Sequence, residues 1–114
     1  MSAVTTHVLD AALGRPASGV PVRLEHISDL TEQVAQKLAV GVTDADGRVG
    51  DLGPDQLPVG LYRLTFDTAT YFTATDQVGF YPLVSIVFHL IDPSRHYHVP
   101  VLLSPFAYST YKGS

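Results

Sequence analysis

Hydrophobic and polar positions alternate along most of this chain. Val4, Thr6 and Val8 share one parity and Thr5, His7 and Leu9 the other, until Gly14, Arg15 and Pro16 turn the backbone. Successive side chains of a strand leave on opposite faces, so this pattern predicts a first strand with one buried side. Val22 and Leu24 alternate with Arg23 and Glu25 in a second strand that has one wet face. Val34, Leu38, Val40 and Val42 share a parity in a third, which ends at the tight-turn residues Asp44 to Gly47 and leads to Arg48. Residues 51–58 form a loop rich in Gly and Pro. Tyr62, Leu64 and Phe66 alternate with Arg63, Thr65 and Asp67, and Asp67 is placed to cap one short helix over 68–76. Val84, Ile86, Phe88 and Leu90 make a further strand, and Asp92 and Pro93 turn the chain. A last strand runs from His96 toward Tyr111, with Pro105 marking a break or bulge within it.

Seven or eight short strands with regularly spaced turn signals and one helix predict an all-β protein, an antiparallel β-sandwich. The last strand is apolar on both parities, Val99, Val101 and Leu103 against Pro100 and Leu102. A monomer would leave one of those faces in water, so the pattern predicts packing against other copies in a symmetric homo-oligomer.

Composition then narrows the class. The 114 residues are the size of a single domain spanning 1–114, large enough to bury about two-thirds of the unfolded surface without covalent help. Cys is absent, so neither disulfides nor thiolate metal sites are available. Seven basic against eleven acidic side chains give a net charge of −4 with no basic cluster, which argues against a nucleic-acid partner. No apolar run approaches the roughly 20 residues of a membrane helix. The first nine residues lack the basic and apolar segments of a signal peptide, and a soluble, cytoplasmic protein is expected.

The histidines carry the candidate chemistry. His96 and His98 lie two apart and are expected on one face of the last strand. Paired imidazoles suit a metal or acid/base work. No HExxH-like spacing supplies a third ligand, so acid/base chemistry beside a cation is favoured, and Arg48 can be that cation. His7 points away from the first strand's core face. His26 and His89 have no motif around them and read as surface or edge residues. The hydroxyls, Thr5 and Thr6 among them, lack a nucleophile elbow, so a serine-type hydrolase is not supported. The chain end is unusual, because packing residues continue through Tyr108 and Tyr111 almost to the final carboxylate, so the tail can form part of a site wall.

Three stretches together carry a resemblance: residues 6–10 (Thr-His-Val-Leu-Asp), residues 43–48 (Thr-Asp-Ala-Asp-Gly-Arg), and residues 96–105 (His-Tyr-His-Val-Pro-Val-Leu-Leu-Ser-Pro) leading to the Tyr-Lys-Gly-Ser end. In this order, across the whole chain, they resemble the 5-hydroxyisourate hydrolases, the transthyretin-related family of purine catabolism. The resemblance implies a transthyretin-like sandwich of two four-stranded sheets and a homotetramer, a dimer of dimers, with active sites in the cleft where dimers face each other. It implies a catalytic set of His7, Arg48, His98 and Ser114, with Tyr111 and Gly113 shaping the tail and binding substrate. No cofactor and no metal are required. The implied reaction is hydrolysis of 5-hydroxyisourate to 2-oxo-4-hydroxy-4-carboxy-5-ureidoimidazoline, with water activated by the His7 and His98 pair and charge held by Arg48. Lys112 stands where the family pattern has Arg, keeping the charge but not the bidentate fork, with an expected effect on tail anchoring more than on chemistry. Two other classes share the architecture. A transthyretin-like carrier would favour an apolar channel, against which His7, Arg48 and His98 argue, and a secreted binding domain would require a signal segment.

Overall fold

The structure, a computed structural model, describes residues 2–114. In chain order the strands are β1 (Val4–Asp10), β2 (Arg15–Pro16), β3 (Pro21–Ile27), β4 (Val34–Val42), β5 (Gly60–Phe66), β6 (Val84–Leu90), β7 (Tyr97–Ser104) and β8 (Ala107–Thr110). Helix α1 (Thr68–Ala74) joins β5 to β6. One sheet has the order β2-β1-β7-β8 and the other β4-β3-β5-β6. The pairings are antiparallel except β1 with β7, which run parallel with Thr5 opposite His98 and His7 opposite Pro100.

The core lies between the sheets. Val4 and Val8 of β1 and Val99, Val101 and Leu103 of β7 face inward, and Val22, Leu24, Tyr62, Leu64 and Phe66 meet them from β3 and β5. Burying each such side chain favours the fold by roughly 1.5–3 kcal/mol. Their alternation along the strands is the one read from the sequence.

α1 starts as expected, with the Asp67 carboxylate accepting from the Thr70 amide at 3.0 Å. Its buried face includes Tyr71, whose hydroxyl donates to Asp10 Oδ2 at 2.6 Å. Gln77 and the amides of Ala12 and Leu13 complete the shell around Asp10. The helix is thereby tied to the end of β1, and these hydrogen bonds hold the Asp10 carboxyl below its ordinary value against the opposing effect of burial.

Two expectations are corrected. The single strand from His96 toward Tyr111 is a hairpin: β7 reverses at Pro105 and Phe106 and β8 returns along it, Ser104 opposite Ala107 and Val101 opposite Thr110. Pro105 has no N–H to give to a sheet and a φ suited to the first corner of a turn, so the chain folds back instead of bulging. The shared parity of Val34, Leu38, Val40 and Val42 does not mark one core face. The pairing of β3 with β4 skips Leu38 and Ala35, and each skipped residue reverses the side that later side chains take. Val34, Val40 and Val42 are exposed, while Leu38 and Ala39 pack on the core.

Candidate active site

The site is built on the outer face of the β2-β1-β7-β8 sheet, where side chains of the parity opposite to the core emerge. On β1 these are Thr5, His7 and Leu9; on β7 they are His98, Pro100 and Leu102. Parallel pairing of the two strands sets Thr5 directly against His98.

A tight turn delivers Arg48 to the same place. Asp44 Oδ1 accepts from the amides of Asp46 at 2.9 Å and Arg48 at 3.1 Å, and the Gly47 amide donates to the Asp44 carbonyl at 2.9 Å. Gly47 sits at φ +78°, and a Cβ there would lie 2.3 Å from the Val8 carbonyl oxygen. Only glycine lets the turn press this closely on β1. The Val8 amide in turn donates to the Gly47 carbonyl at 2.8 Å, and Arg48 bridges to His7. The ring of His7 is fixed by the same turn through Nε2, 2.8 Å from the Asp46 carbonyl oxygen. A carbonyl only accepts, so Nε2 carries the hydrogen and neutral His7 presents Nδ1 as its free base.

The chain end arrives by continuing the register of the β7–β8 hairpin. The Gly113 amide donates to the His98 carbonyl at 2.8 Å, and a Cβ on Gly113 would stand 2.6 Å from His98 Cδ2. Glycine is needed here for close approach to the imidazole. Lys112 lies with Nζ 5.9 Å from the Tyr97 ring centroid, a cation–π contact that holds the tail without entering the cleft.

Thr5, Thr6, Arg48, Val49, Gly50, His96, His98 and Ser114 line one open cleft of about 530 Å³. Arg48, His98 and Ser114 of the sequence-derived set are its walls, with His7 at its border beside Arg48 and Gly113 against the His98 ring. Tyr111 is not brought to this cleft. It lines an adjoining hollow of about 460 Å³ with Phe88, Ile91, Tyr97, Thr110 and Lys112, to which His98 also contributes. His89 is exposed on edge strand β6. His26 is half-buried on the inner strand β3, its ring 5.2 Å from that of Tyr62.

The electrostatics favour a neutral base. Burial first, then the charges of Arg48, His7 and His96, hold the His98 imidazole below its ordinary value. That direction favours the neutral ring, whose bare nitrogen can take a proton. Among the described residues no group of three or more His, Cys, Asp or Glu is arranged to hold a metal ion, and no helix is long and apolar enough to cross a membrane.

One hydroxyl in this site was not singled out from sequence. Thr5 Oγ1 lies 2.7 Å from His96 Nε2 and 2.9 Å from His98 Nδ1, so the two histidines meet through it. Its signal was present in the shared parity of Thr5 and His7, which sets a hydroxyl on the histidine face. The Asp46 carbonyl that orients His7 left no trace in side-chain chemistry.

A sandwich of two four-stranded sheets in this order is transthyretin-like in class. Residues 4–113 match the model of the HIUase/Transthyretin family, and the chain belongs to that family. It is 44% identical over 114 residues to the 5-hydroxyisourate hydrolase of Mus musculus, covering 99% of this chain and 96% of that protein. The structure of Klebsiella pneumoniae 5-hydroxyisourate hydrolase is similar with a TM-score of 0.83 and 34% identity, covering 97% of this chain and 98% of that one. Sea bream transthyretin in complex with thyroxine is as similar in shape, with a TM-score of 0.87 and 34% identity over 96% of this chain and 93% of that one. Backbone similarity therefore does not separate the two kinds of relative. Side-chain chemistry must do so.

Proposed function

We propose that this protein is an enzyme of urate degradation that hydrolyses 5-hydroxyisourate to 2-oxo-4-hydroxy-4-carboxy-5-ureidoimidazoline. The observation that carries the reading is the convergence of His98, Arg48 and Ser114 on one cleft, with His7 at its border. The names of the similar hydrolases supply the substrate.

Water bound between the two histidines loses a proton to an imidazole as it attacks the acyl carbon of the six-membered ring. His98 suits this because its neutral form persists at neutral pH. His7 offers a second basic nitrogen, Nδ1, on a ring already oriented through Asp46. Arg48 binds the electron-rich ring and offsets negative charge as it grows on the carbonyl oxygen. Ser114, through its hydroxyl, positions substrate or water at the cleft wall. The ring C–N bond then breaks, and the leaving nitrogen takes up a proton. This reading requires no cofactor.

The active form is a homotetramer in the same reading, with clefts facing one another across dimers. Its support is the exposed apolar surface around the site face, Leu102 at 38%, Tyr108 at 40%, Tyr111 at 58% and Phe106 at 71%. Light scattering on the purified protein measures the assembly. A carrier function is the second reading, favoured by likeness to the thyroxine-bound relative. The Arg48 guanidinium and the His98 imidazole in the cleft wall oppose it.

The deciding experiment follows the ultraviolet decay of 5-hydroxyisourate freshly generated from urate by urate oxidase, with the protein and with His98→Ala. Accelerated decay that the variant loses supports the hydrolase. Decay at the spontaneous rate leaves the carrier.

A further inference from the structure

The Thr5 hydroxyl is the meeting point of two imidazoles. Oγ1 lies 2.9 Å from Nδ1 of His98 and 2.7 Å from Nε2 of His96. A hydroxyl has one proton to give, whereas each neutral imidazole has one protonated and one bare nitrogen. Both rings cannot accept from Thr5 together. If Thr5 donates to His96, His98 must donate through Nδ1, and His98 Nε2 is left bare as a base. If Thr5 donates to His98, His96 must donate through Nε2, and His98 Nε2 carries a hydrogen. The tautomers of the two rings are coupled through a single oxygen.

We propose that Thr5 is a proton relay: it sets the tautomer that leaves His98 Nε2 basic, and it passes the positive charge that His98 acquires during turnover out to His96. This rests on the hydrolase reading of the cleft. In the resting state His98 Nδ1–H donates to Thr5 and Thr5 donates to His96 Nε2. When Nε2 takes a proton from the attacking water, His98 becomes an imidazolium. Its Nδ1 proton then moves to Thr5 Oγ1 as the Thr5 proton moves to His96 Nε2. His98 is again neutral, now with hydrogen on Nε2, and His96 holds the charge. Running the shift backwards returns a proton to Nδ1 as Nε2 gives its own to the leaving nitrogen. No heavy-atom bond changes in the relay itself.

The surroundings explain why the charge should move. His98 is half-buried and lines the cleft with Arg48, His96 and Ser114, and the charges of Arg48, His7 and His96 act on it. A cation there is opposed by burial and by the guanidinium. His96 precedes β7 and is exposed, so water solvates its charge. Its neighbour Arg95 is already paired with Asp92, Nε to Oδ2 at 3.4 Å, and Lys112 lies over the Tyr97 ring. Thr5 itself is on the outer face of β1, away from the core, so changing it need not disturb packing.

The test compares wild-type protein with Thr5→Val, which keeps the shape without the hydroxyl, Thr5→Ser, which restores the hydroxyl without the methyl, and His96→Gln, which cannot carry a proton. Two readouts are taken on the full chain: steady-state turnover of 5-hydroxyisourate against pH, and the imidazole nitrogen NMR signals that report each ring's tautomer. Expected for Thr5→Val and His96→Gln is a fall in kcat of about tenfold or more, with KM within about twofold, because only proton transfer is touched. Thr5→Ser should return kcat to within about threefold of wild type. In wild type His98 should carry its hydrogen on Nδ1, and Thr5→Val should lose that preference. Retention of kcat in Thr5→Val, or equal damage in Thr5→Ser and Thr5→Val, overturns the relay, the latter because it assigns the effect to the methyl group. Absence of turnover in wild type refutes the hydrolase reading, while the NMR arm still judges Thr5: a His98 tautomer unaltered by Thr5→Val overturns its role.

Discussion

Replacing Gly113 with Ala puts the smallest side chain against the most constrained part of the site. The added Cβ would lie 2.6 Å from His98 Cδ2 and 3.2 Å from both Cβ and Cγ of the same residue. Carbon atoms in contact prefer about 3.5 Å or more, so roughly 1 Å of overlap must be relieved by moving the tail, the imidazole or both. Moving the tail weakens the Gly113 amide bond to the His98 carbonyl, now 2.8 Å, at a cost of about 1 kcal/mol. Turning the ring moves the base. A displacement of this size at a reacting group costs about a hundredfold in rate, or about 2.7 kcal/mol in the barrier. Gly113 pairs only through an isolated bridge beyond β8, so the tail can lift without unfolding the sandwich. The expected result is therefore a loss of about a hundredfold in kcat/KM with Tm lowered by no more than about 4 °C. The 5-hydroxyisourate decay assay and a thermal melt measure the two quantities on one preparation. Activity within about threefold of wild type would refute the claim that close approach of the tail holds His98 in place. A fall in Tm beyond about 10 °C would instead show that the tail supports the whole fold.

The pH profile tests His98 directly. The base works unprotonated, so activity falls as pH drops through its titration; because burial, Arg48, His7 and His96 hold that titration below the ordinary 6.5, the acid limb of kcat/KM should have its midpoint below 6.5. A midpoint at or above 6.5, or a flat profile, contradicts the assignment, and Arg48→Met should raise the His98 midpoint in an NMR titration. Tyr71→Phe probes the anchor of α1. The phenol is pushed up to about 12, first by burial and then by its hydrogen bond to Asp10. Losing that 2.6 Å bond to a buried carboxylate should cost about 2 kcal/mol in urea unfolding with turnover unchanged. A change below about 0.5 kcal/mol would mean that Gln77 and the backbone amides suffice.

Local pattern and tertiary structure contributed different things. Alternation at Val4 to Val8, Val22 and Leu24, Tyr62 to Phe66, and Val99 to Leu103 was enough to locate the core strands and the sandwich class, because period two and burial are the same physical fact seen in sequence and in space. Asp67 announced the helix because an N-cap acts within three residues. The motif stretches singled out His7, Arg48, His98 and Ser114 by resemblance, before any geometry was known. What pairing decides was not visible in local pattern. The skipped residues in β4 turned its valines outward, and Pro105 made a hairpin of what read as one long strand. The parallel junction of β1 and β7 brings Thr5 to His98 from 93 positions away, and the returning tail brings Gly113 to the same imidazole. Local propensity governs the strands, but which edges meet, and in what direction, depends on how the whole chain buries its apolar faces. That is why the residue types, and the tail as part of the site wall, were legible in the sequence, and the arrangement of two histidines around one hydroxyl was not.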